Sequence, residues 1–296
     1  MSKLDSILVI GDGQLGKSLE SIAQYYDEYR FEFVNRNDLD LEDELSFSNF
    51  FKNRRFEVII NCAAYTSVDK AETEKELANK INHIAVKNLA LITKKNRSKL
   101  IHISTDYVFD GTKSEPYLES DKVNPQGVYG KTKLQGEKAV IELLATGAII
   151  IRTSWLYSEY GNNFVKTMMR LGKIQKDINI VCDQVGSPTY ARDLAKTIMK
   201  IIQSNFFKDS EFKTQIYHFS NDGYVSWHDF AKAIFELTGI DCYAKQIETK
   251  DYPTDALRPL YSVLSNKKIR AKFNLNIPYW KDGLEECLMK LDAKGL

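Results

Sequence analysis

The chain has 296 residues, with 41 Lys and Arg against 40 Asp and Glu, a formal net charge of +1. So even a balance argues against nucleic acid or an anionic membrane surface as partner. No apolar run approaches the ~20 residues that span a bilayer, and Met1–Ser6, followed by a short apolar run that stops at Gly11, forms no secretory leader, so a cytoplasmic protein is expected.

Four scattered cysteines (Cys62, Cys182, Cys242, Cys287) and four dispersed histidines form no Cys-x-x-Cys pair and no metal cluster, so reduced thiols and no metal are expected. At ~150 residues per domain the length suggests two domains.

Ile7-Leu8-Val9-Ile10 reads as a strand, and Gly11-Asp12-Gly13-Gln14-Leu15-Gly16 follows at once. A helical pattern then places Leu15, Leu19, Ile22 and Ala23 on one face. Strand, glycine turn and helix in this order are the context of a dinucleotide fingerprint. Gly11, Gly13 and Gly16 permit a tight turn and close approach of backbone to a pyrophosphate, with Gln14 and Leu15 beside it.

A second strand, Phe31–Val34, ends in Asn35-Arg36-Asn37-Asp38. An acid there would favour NAD, whereas Arg36 suits a 2′-phosphate and points to NADPH, with NADH left open. Asp40–Asp43 leads to a short amphipathic helix through Phe50 and Phe51. A third strand, Val58–Ile60, runs into Asn61-Cys62-Ala63-Ala64-Tyr65, where small residues would let a flat cofactor lie on the backbone. One long helix is predicted from about 74 to 95.

The stretch from Lys99 to Glu137 carries the chemistry. A buried strand, Leu100–Ile103, ends in Ser104-Thr105-Asp106, and a polar loop closes on Tyr129-Gly130-Lys131-Thr132-Lys133. Tyr129 and Lys133 are four apart and share a helix face. An ammonium so placed can stabilise a phenolate, and a Tyr so tuned can exchange a proton with a substrate oxygen held by Thr105. Of the 16 Tyr, only Tyr129 has Lys four residues on.

A fifth strand, Ala148–Ile151, ends at Arg152-Thr153-Ser154-Trp155. Strands and helices alternating at this length predict an α/β doubly wound parallel sheet, a Rossmann domain over 1–155. Beyond it the alternation loosens. Helices are predicted over 162–171, from 189 to 203, from a Ser226 cap to 237, over 265–273 and over 278–291, with short strands at 178–181 and 216–219. These form a smaller mixed α/β substrate-binding lobe over 156–296, with a soft boundary across which segments can interleave. A substrate would lie in the crevice between the lobes.

Together, the glycine turn, Asn61–Tyr65 with Val68–Glu72, Ser104–Phe109, Val128–Leu134, Arg152–Trp155 and Arg258-Pro259 resemble the extended short-chain dehydrogenase/reductases, and within them the dTDP-4-dehydrorhamnose reductases. That resemblance implies a catalytic trio of Thr105, Tyr129 and Lys133. Tyr129 would give a proton to the C4 oxygen of a nucleotide-linked 4-keto-6-deoxy sugar as NADPH or NADH delivers hydride. Lys133 would hold the nicotinamide ribose.

It further implies that Ala63, Ala64 and Tyr65 flank the cofactor, that Asp106 and Trp155 meet the sugar, and that Arg258 meets the nucleotide diphosphate. Some relatives dimerise through a metal held by a Glu where this chain has Ser18, so a homodimer stays open and no metal is expected. Two alternatives stay open as well. One is a nucleotide-sugar dehydratase or epimerase, although dehydratases carry Asp-Glu where this chain has Asp106-Tyr107. The other is a non-catalytic NADP-binding regulatory subunit, similar to that of methionine adenosyltransferase.

Overall fold

The apolar runs of the sequence leave no polar side for water, so their strands must be covered on both faces. The computed structural model describes residues 5–209 and 211–293; the expectation for Met1–Leu4 and the last three residues of the second lobe fall outside them.

β1 (Asp5–Ile10) turns into α1 (Gln14–Ala23), followed by β2 (Tyr29–Val34), α2 (Glu44–Phe51), β3 (Val58–Asn61), α3 (Lys75–Asn79), α4 (Ala85–Asn96), β4 (Lys99–Thr105), α5 (Val128–Leu143) and β5 (Ala148–Thr153). Then come β6 (Leu156–Tyr157), α6 (Phe164–Gly172), β7 (Asp177–Val181), β8 (Val185–Gly186), β9 (Thr189–Tyr190), α7 (Ala191–Gln203) and α8 (Asn205–Lys208). The chain finishes with β10 (Gln215–His218), β11 (Val225–Ser226), α9 (Trp227–Thr238), β12 (Tyr243–Ile247), α10 (Lys267–Phe273) and α11 (Trp280–Asp292).

Six of these strands form one parallel sheet in the order β10-β5-β4-β3-β1-β2. Chain order reverses between β1 and β3, which opens a crevice at their carboxyl ends. Ile7, Val9, Ile60, Ile101 and Ile149 pack on one face beneath α1 and α7; Leu8, Ile59, Leu100 and Ile150 pack on the other beneath α4 and α5. A second core, around Val165, Phe230, Ile234 and Leu284, joins α6, α9 and α11 to the parallel pair β7 and β12.

Two features depart from the simple alternation. The sheet takes β10 from beyond residue 155, and α7 packs against α1, so segments of the second half of the chain lie in the first layer. The helix expected over 74–95 is interrupted by a π-helical turn, Lys80–Ile84. Within it Asn82 accepts the Tyr65 backbone N–H at 2.9 Å and donates to Tyr65 O and Thr132 Oγ1 at 3.1 and 3.2 Å. The turn thereby clamps the loop after β3 to α5. β12 was not expected from the sequence: of its five residues only Ala244 is buried, so it carries no alternating signal.

Candidate active site

A cavity of about 700 Å³ opens at the carboxyl ends of β1 to β5. Its floor begins at the glycine turn. Gly11 has φ +101°, and a Cβ there would lie 2.9 Å from the Ala63 nitrogen. A Cβ on Gly16 would lie 1.8 Å from the Gly11 carbonyl oxygen, so only glycine lets α1 start this close to β1. Gly13 faces open space. α1 has no side-chain cap and no acid in its first turn, a setting that suits an anion at its N-terminus. A glycine cradle, an uncapped helix start and a long cavity lined by Leu15, Ala63 and Ala64 fit a flat dinucleotide.

Gly11, Gly13, Gln14, Leu15, Arg36, Ala63, Ala64, Thr105, Asp106, Tyr129, Lys133 and Trp155 all line this one cavity. Local residue patterns and the family resemblance singled them out across nearly 150 positions, and the fold brings them together. Three others stand apart from the wall. Gly16 faces Gly11, as above. Tyr65 turns its hydroxyl to Glu74 Oε2 at 2.7 Å. Arg258 donates to the Tyr107 hydroxyl at 3.1 Å and pairs with Asp69.

Gln14 lines the cavity, but its amide ties the glycine turn to β6 and the loop after it. It donates to Leu156 O at 3.1 Å and accepts from Ser158 Oγ and Asn163 Nδ2 at 3.1 and 2.9 Å. Arg36 sits at the mouth, mostly exposed, paired with Glu42 and within 3.9 Å of Asp40.

At the reacting end, Thr105 closes β4. Its hydroxyl accepts the Tyr107 N–H at 3.2 Å and donates to Asp106 Oδ1 at 3.0 Å. Burial pushes the Asp106 carboxyl up to about 6, against hydrogen bonds from Ser262 and Thr105. Tyr129, on the first turn of α5, packs edge-on against Tyr107 with ring centroids 5.5 Å apart.

The expected lowering of the Tyr129 phenol by Lys133 is not what the structure shows: the phenol is raised, and Lys133 is not among the groups that shift it. Lys133 Nζ donates to the Ile103 carbonyl at 2.6 Å. Tyr129 is raised above the ordinary tyrosine value by burial, with a hydrogen bond to Thr105 pulling it down. Lys133 in turn is lowered to about 8 by burial, with Glu137 and Cys62 favouring its charge. At neutral pH the arrangement therefore holds a protonated phenol beside a hydroxyl and a charged ammonium.

Trp155 follows β5 in a left-handed conformation, φ +47°, which a bulky residue adopts only where its surroundings hold it. Its ring stacks on Trp227 at 3.4 Å, and a Cβ on Gly186 would lie 2.5 Å from it. Its carbonyl accepts the Thr189 N–H, and Ser154 Oγ donates to Ser187 O at 2.7 Å. Cys62, Tyr107, Thr153 and Asn162 also line the cavity and were not picked out from the sequence. The signal available for the first three was position at, or just beyond, the end of a parallel strand.

Among the described residues no group of His, Cys, Asp and Glu is placed to hold a metal ion, and Ser18 Oγ donates to the Gln14 carbonyl at 2.8 Å. Among the same residues no helix is long and apolar enough to cross a membrane.

The model of a protein family described as RmlD substrate binding domain matches residues 5–293. A dTDP-4-dehydrorhamnose reductase of Aggregatibacter actinomycetemcomitans is 40% identical over 287 residues, covering 94% of this chain and 97% of that protein. The crystal structure of a dTDP-4-dehydrorhamnose reductase from Clostridium acetobutylicum superposes with a TM-score of 0.90 at 41% identity, covering 97% of this chain and 99% of that one. That of a dTDP-4-dehydrorhamnose reductase from Bacillus anthracis in complex with NADP gives a TM-score of 0.90 at 39% identity, covering 97% of this chain and all of that one. With the fingerprint, the Tyr129/Lys133 pair and the strand-end threonine in one cavity, the chain belongs to the RmlD substrate binding domain family, that of the dTDP-4-dehydrorhamnose reductases.

Proposed function

We propose that this protein is an NADPH-dependent oxidoreductase that reduces the C4 carbonyl of a nucleotide-linked 4-keto-6-deoxy sugar, converting dTDP-4-dehydro-L-rhamnose to dTDP-L-rhamnose for polysaccharide synthesis. The observation that carries this reading is the partly buried Tyr129 phenol beside the Thr105 hydroxyl, at the far end of a cavity that starts at a dinucleotide turn. Bound NADPH supplies the hydride.

In reduction the proton donor must begin protonated, and burial keeps Tyr129 so. As the C4 oxygen gains charge it becomes far more basic than a phenol and takes the Tyr129 proton. Thr105 turns its hydroxyl proton from Asp106 Oδ1 to the same oxygen. The Lys133 ammonium, held on the Ile103 carbonyl, favours the tyrosinate left behind and is placed to meet the nicotinamide ribose.

In this reading the glycine turn, Ala63 and Ala64 hold the dinucleotide, with Tyr65 keeping their loop in place. Arg36 exchanges Glu42 for the 2′-phosphate, as a planar fork suits phosphate oxygens. Asp106 and Trp155 meet the sugar. Arg258 exchanges Asp69 for the nucleotide diphosphate. The 1–155 layer, joined by α7 and β10, is the cofactor domain, and the rest of 156–296 is the substrate lobe. Free thiols at Cys62, Cys182 and Cys242 suit the reducing cytoplasm; light scattering on the purified protein decides between monomer and homodimer.

The deciding experiment follows NADPH absorbance with dTDP-4-dehydro-6-deoxyglucose, with and without the 3,5-epimerase. Oxidation that requires the epimerase is expected. Oxidation without it would assign a different 4-keto isomer. NADPH binding with no oxidation in either arm would favour the regulatory alternative.

A further inference from the structure

The residue that ties the site together lies beneath it. Glu137 is four residues beyond Lys133 on the same face of α5, so Tyr129, Lys133 and Glu137 form one stripe along the helix. Only 1% of Glu137 is exposed. Its carboxylate accepts Ser104 Oγ at 2.5 Å from β4, and Arg152 Nε and Nη2 at 2.8 and 2.6 Å from β5.

Ser104 and Arg152 are register partners across the two strands, and the next pair toward the site is Thr105 and Thr153. One carboxylate thus fixes the helix that bears Tyr129 and Lys133 against the two strand ends that bear Thr105 and Trp155. Fold stability does not by itself account for such a group, since replacing a buried ion pair with apolar residues of similar volume is often neutral or stabilising.

We propose that Glu137, held by Arg152 and Ser104, is a positioning residue for the reduction: it sets Tyr129 and Lys133 against Thr105 and keeps the buried Lys133 cationic. This rests on the reductase reading above. Of the two carboxylates at this end of the site, Asp106 at the end of β4 acts on Tyr129, and Glu137 acts on Lys133. Tyr129 lies above on α5, Cys62 at the end of β3 and the neutral, buried His102 on β4, while the Arg152 cation stands behind Glu137 on β5.

The test compares Glu137→Gln and Ser104→Ala with the wild-type protein in kcat–pH profiles, with NADPH affinity measured separately. Glu137→Gln removes the anion and leaves Arg152 charged, so Lys133 should lose its proton at lower pH. The alkaline limb of kcat should move down by about one pH unit or more, with NADPH affinity within a few fold of wild type. Ser104→Ala keeps both charges and the fold, so kcat should fall several-fold with the limb unmoved.

An alkaline limb in Glu137→Gln that coincides with wild type overturns the electrostatic part of the proposal, and full kcat in Ser104→Ala overturns the positioning part. If Glu137→Gln does not fold, Glu137→Asp, which keeps the charge, should keep the wild-type limb while kcat falls. Turnover by the wild-type protein tests the reaction assignment, and each variant's departure from wild type tests Glu137.

Discussion

Tyr129 and Asp106 show how differently burial acts on two acids of one site. For Tyr129 it keeps the phenol protonated, as the proposed role of proton donor requires. Tyr129→Phe should leave NADPH affinity within about threefold of wild type and lower kcat by at least ~10²-fold, the scale of a positioned proton donor; stopped-flow absorbance and fluorescence titration separate the two effects. For Asp106 burial raises the folded-state value from 3.8 to about 6. The folded protein then binds more protons than the unfolded chain between those values, so stability falls as pH rises from about 4 to 6 and the penalty is complete above that window. Asp106→Asn should remove this slope and raise the unfolding free energy at pH 7.5 by up to roughly 3 kcal/mol. Urea denaturation at pH 4.5 and 7.5 checks it, and equal gains at both pH values would contradict the assignment. Such a penalty is what a site kept for chemistry rather than stability shows.

The elements around the site were legible because their signals are local. The glycine turn, the strand ends and the helix bearing Tyr129 and Lys133 each follow from residues within a few positions of one another, and each stands where it was expected. The π turn was not legible, because it is imposed by Asn82 reaching Tyr65 and Thr132, 17 and 50 positions away. Nor was the orientation of Lys133: helical spacing places it on the face of Tyr129, but the Ile103 carbonyl of the neighbouring strand captures its Nζ.

Two predictions belong at the level of these elements. Gly16→Ala should force α1 away from β1, given the 1.8 Å approach to the Gly11 carbonyl, and weaken NADPH binding at least tenfold along with a lowered Tm. Arg36→Ala should weaken NADPH by roughly tenfold or more while changing NADH little, as read by fluorescence titration of both cofactors; equal losses would remove Arg36 from cofactor discrimination.

Across the whole molecule, the loop over 249–264 is strapped to the layer of the six-stranded sheet through Asp69, which accepts the Ala256 N–H at 3.2 Å and pairs with Arg258. Pro259 packs where a Cβ on Gly111 would lie 2.6 Å from it. Asp69→Ala should raise the rate of limited proteolysis within this loop by roughly tenfold, the loss of one ion pair and one hydrogen bond at a partly exposed contact, with NADPH affinity unchanged. Unaltered proteolysis would show that packing at Gly111 alone holds the strap. By itself the sequence determined the parallel sheet, the dinucleotide turn and the Thr105, Tyr129 and Lys133 set, because strand burial, glycine conformation and helical spacing are written in neighbouring residues. Only the tertiary structure decided that β10 completes the sheet, that Arg258 meets Asp69 and that Glu137 joins Ser104 to Arg152, because each is a contact between side chains or strands that no local pattern brings together.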